Sequence, residues 1–309
     1  MGSRPHLFAV ASAVIALLGS TAAPMAPAST GPEAPTSLSS RQPQQQLPLS
    51  PDRGSGLAVT PAYEGWYRNP DGSYSLSFGY YNRNRDEVVE IPLGEHNVME
   101  PAELNGMQPT RFEPRRHWGV FVVRLPADAP PDSRVVWTIE FRGQRYSIPG
   151  HLHIDWQIDA LQGEAGAGNT PPRLRFEGDG PEGAGPAGVM AEPMVARVGE
   201  PLQLTVWVSD DGVRDPSIAS GGRENVPVTL SWFKHQGPGE VTFAEESGQA
   251  PVTGGEMATT ATFSAPGEYL LRVRANDSSG VSGAGHAQCC WTNGYVWVSV
   301  GGAQDRSER

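Results

Sequence analysis

Cysteine and lysine are nearly absent from this sequence. Only two of the 309 residues are cysteines, and they are adjacent, at 289 and 290; the single lysine is Lys234. A Cys-x-x-Cys redox pair is therefore excluded. Charged residues make up only 18% of the chain, and the formal net charge is −11. This balance argues against nonspecific attraction to nucleic acid or to an anionic membrane surface.

The common catalytic motifs are missing as well. The chain contains no Gly-x-Ser-x-Gly elbow, no His-Glu-x-x-His helix, no phosphate-binding loop and no dinucleotide fingerprint. The paired carboxylates of a glycoside hydrolase meet only in three dimensions, so their spacing cannot be read here. The sequence predicts no catalytic residue.

The amino-terminal residues have the pattern of a cleaved secretory signal. Arg4 supplies a positive charge, residues 7–19 are a long apolar run, and residues 26–28 form an Ala-x-Ala cleavage site. The apolar run is shorter than the ~20 residues that a membrane-spanning helix needs. We predict a signal peptide at 1–28, no transmembrane segment in the mature chain, and a secreted or periplasmic protein.

Two further segments lack the large apolar side chains that would offset the entropy of ordering them. Residues 29–56 are rich in Pro, Gln and Ser and predict a disordered linker. Residues 162–192 are rich in Gly and Pro and predict a linker between two domains. Residues 303–309 are expected to form a frayed tail.

The remaining regions, 57–161 and 193–302, alternate apolar and polar residues with the period of two that is typical of strands. One face of the stretch at 73–80 carries Tyr74, Leu76, Phe78 and Tyr80. The preceding Pro-Asp-Gly turn predicts a hairpin with an earlier strand. We predict an all-β protein with two immunoglobulin-like β-sandwich domains, the second of which folds alone.

Residues 266–280 of the second domain, PGEYLLRVRANDSSG, followed by an alternating strand at 294–300, resemble PKD and other immunoglobulin-like modules. The resemblance covers about 110 residues. It implies that Trp232 is a core residue of the third strand and that Tyr269 forms a tyrosine corner. Inter-sheet cysteines are absent from the second and sixth strands. The first domain, with YEGWYRNPDGSYSLSFGYYNRN, is similar to secreted bacterial proteins without an assigned activity. Neither resemblance therefore implies an enzymatic activity.

His151, His153 and Asp155 alternate along the stretch HLHID. On a strand they would share one face, where two imidazoles and a carboxylate are suitable ligands for zinc or iron. Same-face neighbours are ~6.5–7 Å apart, which is wide for direct chelation of one ion. The favoured interpretation is a solvated strand face, and a transition-metal site is the alternative.

Acidic residues in two turns could hold calcium, which prefers several oxygen ligands. The candidates are Asp210, Asp211, Asp215 and Asp277. No complete calcium-binding loop motif is present, and ordinary turn chemistry of Asp and Gly explains the same residues.

Aromatic side chains are dense in the first domain. Most alternate in register with the core, but Trp66, Tyr67 and Tyr81 are candidates for a ligand platform that would stack against sugars or aromatic peptides. Isolated exposed aromatics are also normal on protein surfaces.

Cys289 and Cys290 leave three arrangements open. Adjacent cysteines can form a strained vicinal disulfide, pair between molecules, or remain buried as thiols. The export signal favours the vicinal disulfide.

We therefore expect an exported, non-enzymatic binding or spacer protein that needs no cofactor and whose partner is a protein or a glycan outside the cytoplasm. The alternatives are a metal-dependent enzyme using the strand at 151–155, or a carbohydrate-binding accessory module using the first domain's aromatics. If the protein binds a metal, we expect calcium at the acidic turns or zinc at the strand at 151–155.

Overall fold

The computed structural model describes residues 53–158, 168–213, 227–277 and 290–302. All of these residues belong to one compact unit, Ser50–Arg309. Within the described ranges the helical segments are two short 3-10 turns, Ala102–Leu104 and Ile154–Trp156. The prediction of an all-β protein is confirmed. The predicted signal peptide, most of the first linker and the tail lie outside the described ranges.

The first sandwich is built from the strands β1 (Val59–Arg68), β2 (Tyr74–Asn82), β3 (Val89–Glu90), β4 (Asn97–Glu100), β5 (Arg111–Phe112), β6 (Arg115–Leu125), β7 (Arg134–Phe141) and β8 (Gln144–His151). One antiparallel sheet has the order β1-β2-β6, a second has the order β4-β7-β8, and β3 pairs with β5. Phe78, Phe121 and Trp137 are fully buried between the sheets. The Phe121 and Trp137 rings meet edge to face at 5.0 Å.

The hairpin predicted at the Pro-Asp-Gly turn is present. β1 and β2 pair antiparallel, and the Gly72 N–H donates to the Asn69 carbonyl at 2.9 Å. Gly72 has a φ of 87°, a conformation that glycine adopts without the steric cost of a Cβ.

The second sandwich is built from β9 (Arg173–Arg175), β10 (Gly183–Ala184), β11 (Val189–Met190), β12 (Met194–Arg197), β13 (Leu202–Ser209), β14 (Val228–Gln236), β15 (Val241–Phe243), β16 (Ser247–Ala250), β17 (Gly255–Phe263), β18 (Gly267–Asn276) and β19 (Trp291–Gly301). One sheet has the order β10-β9-β13-β17-β15. The other has the order β11-β19-β18-β14-β16, with β12 parallel to β19.

The strand order of the second sandwich is immunoglobulin-like. β14, β18 and β19 occupy the places of the third, sixth and seventh strands in one sheet, and β13 pairs with β17 in the other. Trp232 is buried with 4% exposure, as the resemblance implied. The Tyr269 hydroxyl donates to the Ala265 carbonyl at 2.8 Å and accepts from the Gly239 N–H at 3.0 Å. The tyrosine corner is therefore present.

The segment at 162–192 contains β9, β10 and β11, although its composition predicted a linker. Leu174, in the centre of β9, is fully buried in the core of the second sandwich. Strands of two or three residues are too short to produce a visible alternation. They form here because β13 and β19 supply the pairing edges.

No helix in the part of the chain that the structure describes is long and apolar enough to cross a bilayer.

Candidate functional site

His151, His153 and Asp155 do not share a strand face. β8 ends at His151, and Asp155 lies in the 3-10 turn at 154–156. The Asp155 N–H donates to Nδ1 of His153, and the His153 N–H donates to Nδ1 of His151, both at 3.3 Å. Burial, followed by the charge of Arg134, lowers the pKa of His151. The two histidine rings therefore accept backbone hydrogen bonds in a turn, the Asp155 carboxylate lies 3.3 Å from Nδ1 of His153, and the predicted strand geometry does not extend beyond His151.

The acidic residues lie where β13 and β18 end, and three of the four candidates can be described. Asp210 accepts from the Gly212 N–H at 3.0 Å, which is turn chemistry. Asp211 accepts from the hydroxyl and N–H of a threonine, and Asp277 accepts from the Asn169 amide at 2.7 Å. Burial raises the pKa of Asp210 to about 6, and the nearby Asp277 carboxylate adds to the shift. Asp215 lies outside the described residues.

No group of three or more His, Cys, Asp or Glu side chains suited to a metal ion occurs among the described residues. The carboxylates of Asp211 and Asp277 already accept hydrogen bonds from protein groups.

The three aromatic candidates do not form a common platform. Trp66 is buried with 7% exposure, and its indole N–H donates to the His153 carbonyl at 2.8 Å. Tyr67 is half-buried, and its hydroxyl accepts from the Ala187 N–H at 3.0 Å. Tyr81 alone of the three is exposed, at 38%.

Cys290 is fully buried and disulfide-bonded. Cys289 lies outside the described residues, so the predicted vicinal bridge stays a prediction.

The two sandwiches contact each other through a set of polar groups, which we call the seam. The first sandwich contributes Gly119 and Val120 of β6 and the loop at 106–111. The second contributes the end of β14 and the outward side of β19. Asn293 donates its amide to the Gly119 carbonyl at 2.7 Å, and the Tyr295 hydroxyl donates to the Val120 carbonyl at 2.9 Å.

A second row of seam hydrogen bonds joins β14 to the loop at 106–111. The Gln236 amide donates to the carbonyls of Gly106 and Gln108, both at 2.7 Å. His235 Nε2 lies 2.7 Å from the Met107 carbonyl, and the Thr110 N–H donates to the His235 carbonyl at 2.9 Å. Burial lowers the pKa of His235 to about 3, so the ring is neutral and can donate from Nε2.

Ion pairs bridge the same edge of the seam. Lys234, the single lysine of the chain, is almost fully buried and pairs with Glu90 at 3.0 Å. Arg111 pairs with Glu90 at 3.1 Å and with Glu240 of the second sandwich at 2.8 Å. Because Lys234 and Glu240 belong to the second sandwich, these pairs join the two sandwiches electrostatically.

A buried carboxylate supports the seam from inside the first sandwich. Glu64 is 2% exposed and accepts from the Gly119 N–H at 2.6 Å, from Ser77 at 3.1 Å and from Arg116 at 2.8 Å. Burial raises the pKa of Glu64, against the opposing effect of Arg116. Since a charged carboxylate needs partners when buried, Glu64 fixes Gly119 in place.

Sequence reasoning missed the seam. Its residues lie on strand faces that alternate with core residues, so they have the pattern of a solvated surface. One signal could have indicated the seam: Asn293, Tyr295 and Trp297 alternate along β19 with Gly294, Val296 and Val298, and large aromatic side chains are unusual on a strand face in contact with water.

Comparison with known proteins gives no functional assignment. No family model matches the chain, and no curated protein matches it. Similar solved structures include titin A168169, at 11% identity over 78% of this chain and 98% of that chain, with a TM-score of 0.22. The D00-D0 domain of intimin has 10% identity, coverage of 78% and 99%, and a TM-score of 0.23. Domains 4 and 5 of the S-layer protein SbsC have 10% identity, coverage of 79% and 98%, and a TM-score of 0.22. The fold class rests on the sheets themselves.

Proposed function

We propose that this protein is an exported, non-enzymatic spacer or binding protein in which the seam makes two β-sandwiches one rigid module. The observation that carries the proposal is the set of hydrogen bonds from Asn293, Tyr295 and Gln236 to backbone carbonyls of the first sandwich. Backbone carbonyls have fixed positions, so these bonds set the orientation of one sandwich relative to the other. A fixed orientation is useful in a spacer and needs no reaction centre.

The test of rigidity is calorimetric unfolding of the full chain. We expect a single transition in the wild-type protein, because the sandwiches stabilise each other across the seam. The double substitution Asn293→Ala and Tyr295→Phe should lower the stability by roughly 2–4 kcal/mol, at about 1–2 kcal/mol for each side chain removed, and split the transition. Tyr81→Phe, on the exposed surface, is the matched control. Two separate wild-type transitions that do not respond to the seam variant would refute the rigid module.

Export is tested separately. Mass spectrometry of the protein recovered from its native host should show loss of residues 1–28, as the signal pattern predicts. Recovery of the uncleaved chain from the cytoplasm would contradict the proposal.

A second candidate function, glycan binding, is favoured by a groove on the second sandwich. The groove has a volume of about 450 Å³, within the range of ligand sites. Its lining includes Trp207, Arg173, Arg175, Glu182 and Glu256. Trp207 lies directly between Arg175 and Glu256 in the strand register, which places an aromatic face beside charged hydrogen-bonding groups.

A glycan array distinguishes this candidate from the first. Binding that Trp207→Ala abolishes and that Tyr81→Ala preserves would support a glycan site in the groove. Binding that survives Trp207→Ala, or none at all, would leave the groove without this role.

A further inference from the structure

Two arginines lie on the seam side of β18. Arg272 and Arg274 alternate with the core residues Leu271 and Val273, so both project away from the core of the second sandwich. Arg272 is 2% exposed, and its cross-strand partner on β14 is Phe233. The guanidinium carbons of Arg272 and Arg274 lie 4.5 and 5.5 Å from the centroid of the Phe233 ring. We call Arg272 and Arg274 the arginine pair.

The arginine pair has almost no hydrogen-bond partners. A guanidinium carries five N–H donors. Among the described residues, Arg272 makes one hydrogen bond, from Nη1 to the Asn293 amide oxygen at a long 3.3 Å. The Nε atoms of Arg272 and Arg274 are both buried without a partner. Neither guanidinium forms an ion pair within the described ranges, although buried charges in proteins are normally paired.

The Glu64 carboxylate does not neutralise the pair. Glu64 is close enough to act on Arg272 electrostatically, but its oxygens are already bonded to Arg116, Ser77 and Gly119. Two guanidinium groups, Arg116 and Arg272, therefore act on one carboxylate, and Arg274 adds a third positive charge beside Arg272, which leaves an excess of positive charge at the seam.

The excess of positive charge helps to lower the pKa of two histidines near the arginine pair. Burial, together with the positive charge of Arg272, lowers the pKa of His117 to about 4 and that of His235 to about 3. Both rings are therefore neutral and add no further positive charge. They also supply no negative charge, so the arginine pair remains uncompensated.

We propose that the arginine pair binds one small oxyanion, a carboxylate, phosphate or sulfate group, at the edge of the seam beside Phe233. A guanidinium presents a planar fork of donors that matches such a group, and the free Nε atoms are donors of that fork. Arg274 and His117 are only partly buried and give access from solvent. A free ion and an anionic group on a larger ligand share this chemistry. The proposal is independent of the spacer function.

The test is calorimetric titration of the full chain with sodium phosphate, sodium sulfate and sodium acetate at matched ionic strength. We expect saturable one-to-one binding of at least one of these anions. Arg274→Gln should weaken it at least tenfold. Arg197→Gln is the control, because it removes the same charge from an exposed position in the same sandwich and should leave the affinity unchanged.

A second readout covers the case in which Arg274→Gln folds poorly. Arg274→Lys keeps the charge but loses the fork, and it should weaken the anion and reduce the anion-dependent rise in the urea midpoint. Binding of acetate alone would assign the site to carboxylates, and binding of phosphate or sulfate would assign it to tetrahedral oxyanions. No saturable binding to the wild-type chain, unchanged affinity in both Arg274 variants, or an equal loss in Arg197→Gln would overturn the proposal.

Discussion

Replacing Gly119 by alanine should lower the free energy of unfolding more than replacing a glycine that has a similar φ but no atoms near the added Cβ. Gly119 has a φ of 53°. A Cβ built on it would lie 2.0–2.4 Å from three atoms of the Trp291 indole, closer than real Cβ contacts occur. The same residue donates its N–H to Glu64 and accepts from Asn293 through its carbonyl. Any movement that relieves the contact with Trp291 therefore also strains the hydrogen bonds of the seam.

The expected loss follows from two separate costs. The left-handed backbone conformation costs alanine about 1–2 kcal/mol relative to glycine. Overpacking against a buried indole costs about 1–3 kcal/mol. The free energy of unfolding should therefore fall by roughly 2–5 kcal/mol, and a single calorimetric transition should broaden or split if the seam opens first.

Gly143→Ala isolates the backbone cost. Gly143 has a φ of 72°, and no atom lies within 4 Å of a Cβ built on it. This control should lose only about 1–2 kcal/mol. Urea unfolding of both variants measures the difference, which should be about 1–3 kcal/mol. Equal losses would show that Trp291 does not pack on Gly119 and would remove the main steric support for the seam.

Three other substitutions test separate parts of the structure. Tyr269→Phe removes both hydrogen bonds of the tyrosine corner and should cost about 1–2 kcal/mol in urea unfolding, whereas Tyr81→Phe should cost close to nothing. The neutral state of His235 contributes stability above the unfolded-state pKa of about 6.5, which is lost as the pH falls from there towards a folded pKa of about 3. The wild-type chain should therefore lose up to about 1.4 kcal/mol per pH unit in that window from this residue, and His235→Gln should reduce the slope; an unchanged slope would exclude the residue as its source. Leu174→Ala should cost about 2–5 kcal/mol and the exposed Val195→Ala almost nothing, whereas a flexible segment around Leu174 would make both changes neutral.

Strands with a clear alternation were predictable from the sequence. The alternating stretch at 73–80 corresponds to β2, and the alternating strand at 294–300 lies within β19. The tyrosine corner and the core position of Trp232 were implied by the resemblance to immunoglobulin-like modules, and both are present. The alternating strands depend on residues close together in the chain, where side-chain direction follows from the backbone period.

The site residues were less predictable. His153 and Asp155 continue the alternation of the preceding strand, but the chain turns after His151. As a candidate for the ligand platform, Trp66 was expected near the surface. It is buried instead, and its indole N–H donates to the His153 carbonyl in the same turn. Both differences arise from a change of chain direction that apolar periodicity does not report.

The seam could not be predicted from the sequence, for a different physical reason. Asn293 and Gln236 are polar residues of β19 and β14, and they are almost fully buried. A polar strand face has the same sequence pattern whether it meets water or another polar face. Here polar side chains meet backbone carbonyls, so hydrogen bonding takes the place of apolar burial in joining the sandwiches. Each such hydrogen bond adds modest net stability, but it forms only within narrow limits of distance and angle. The seam therefore specifies the angle between the sandwiches more strongly than it strengthens their association.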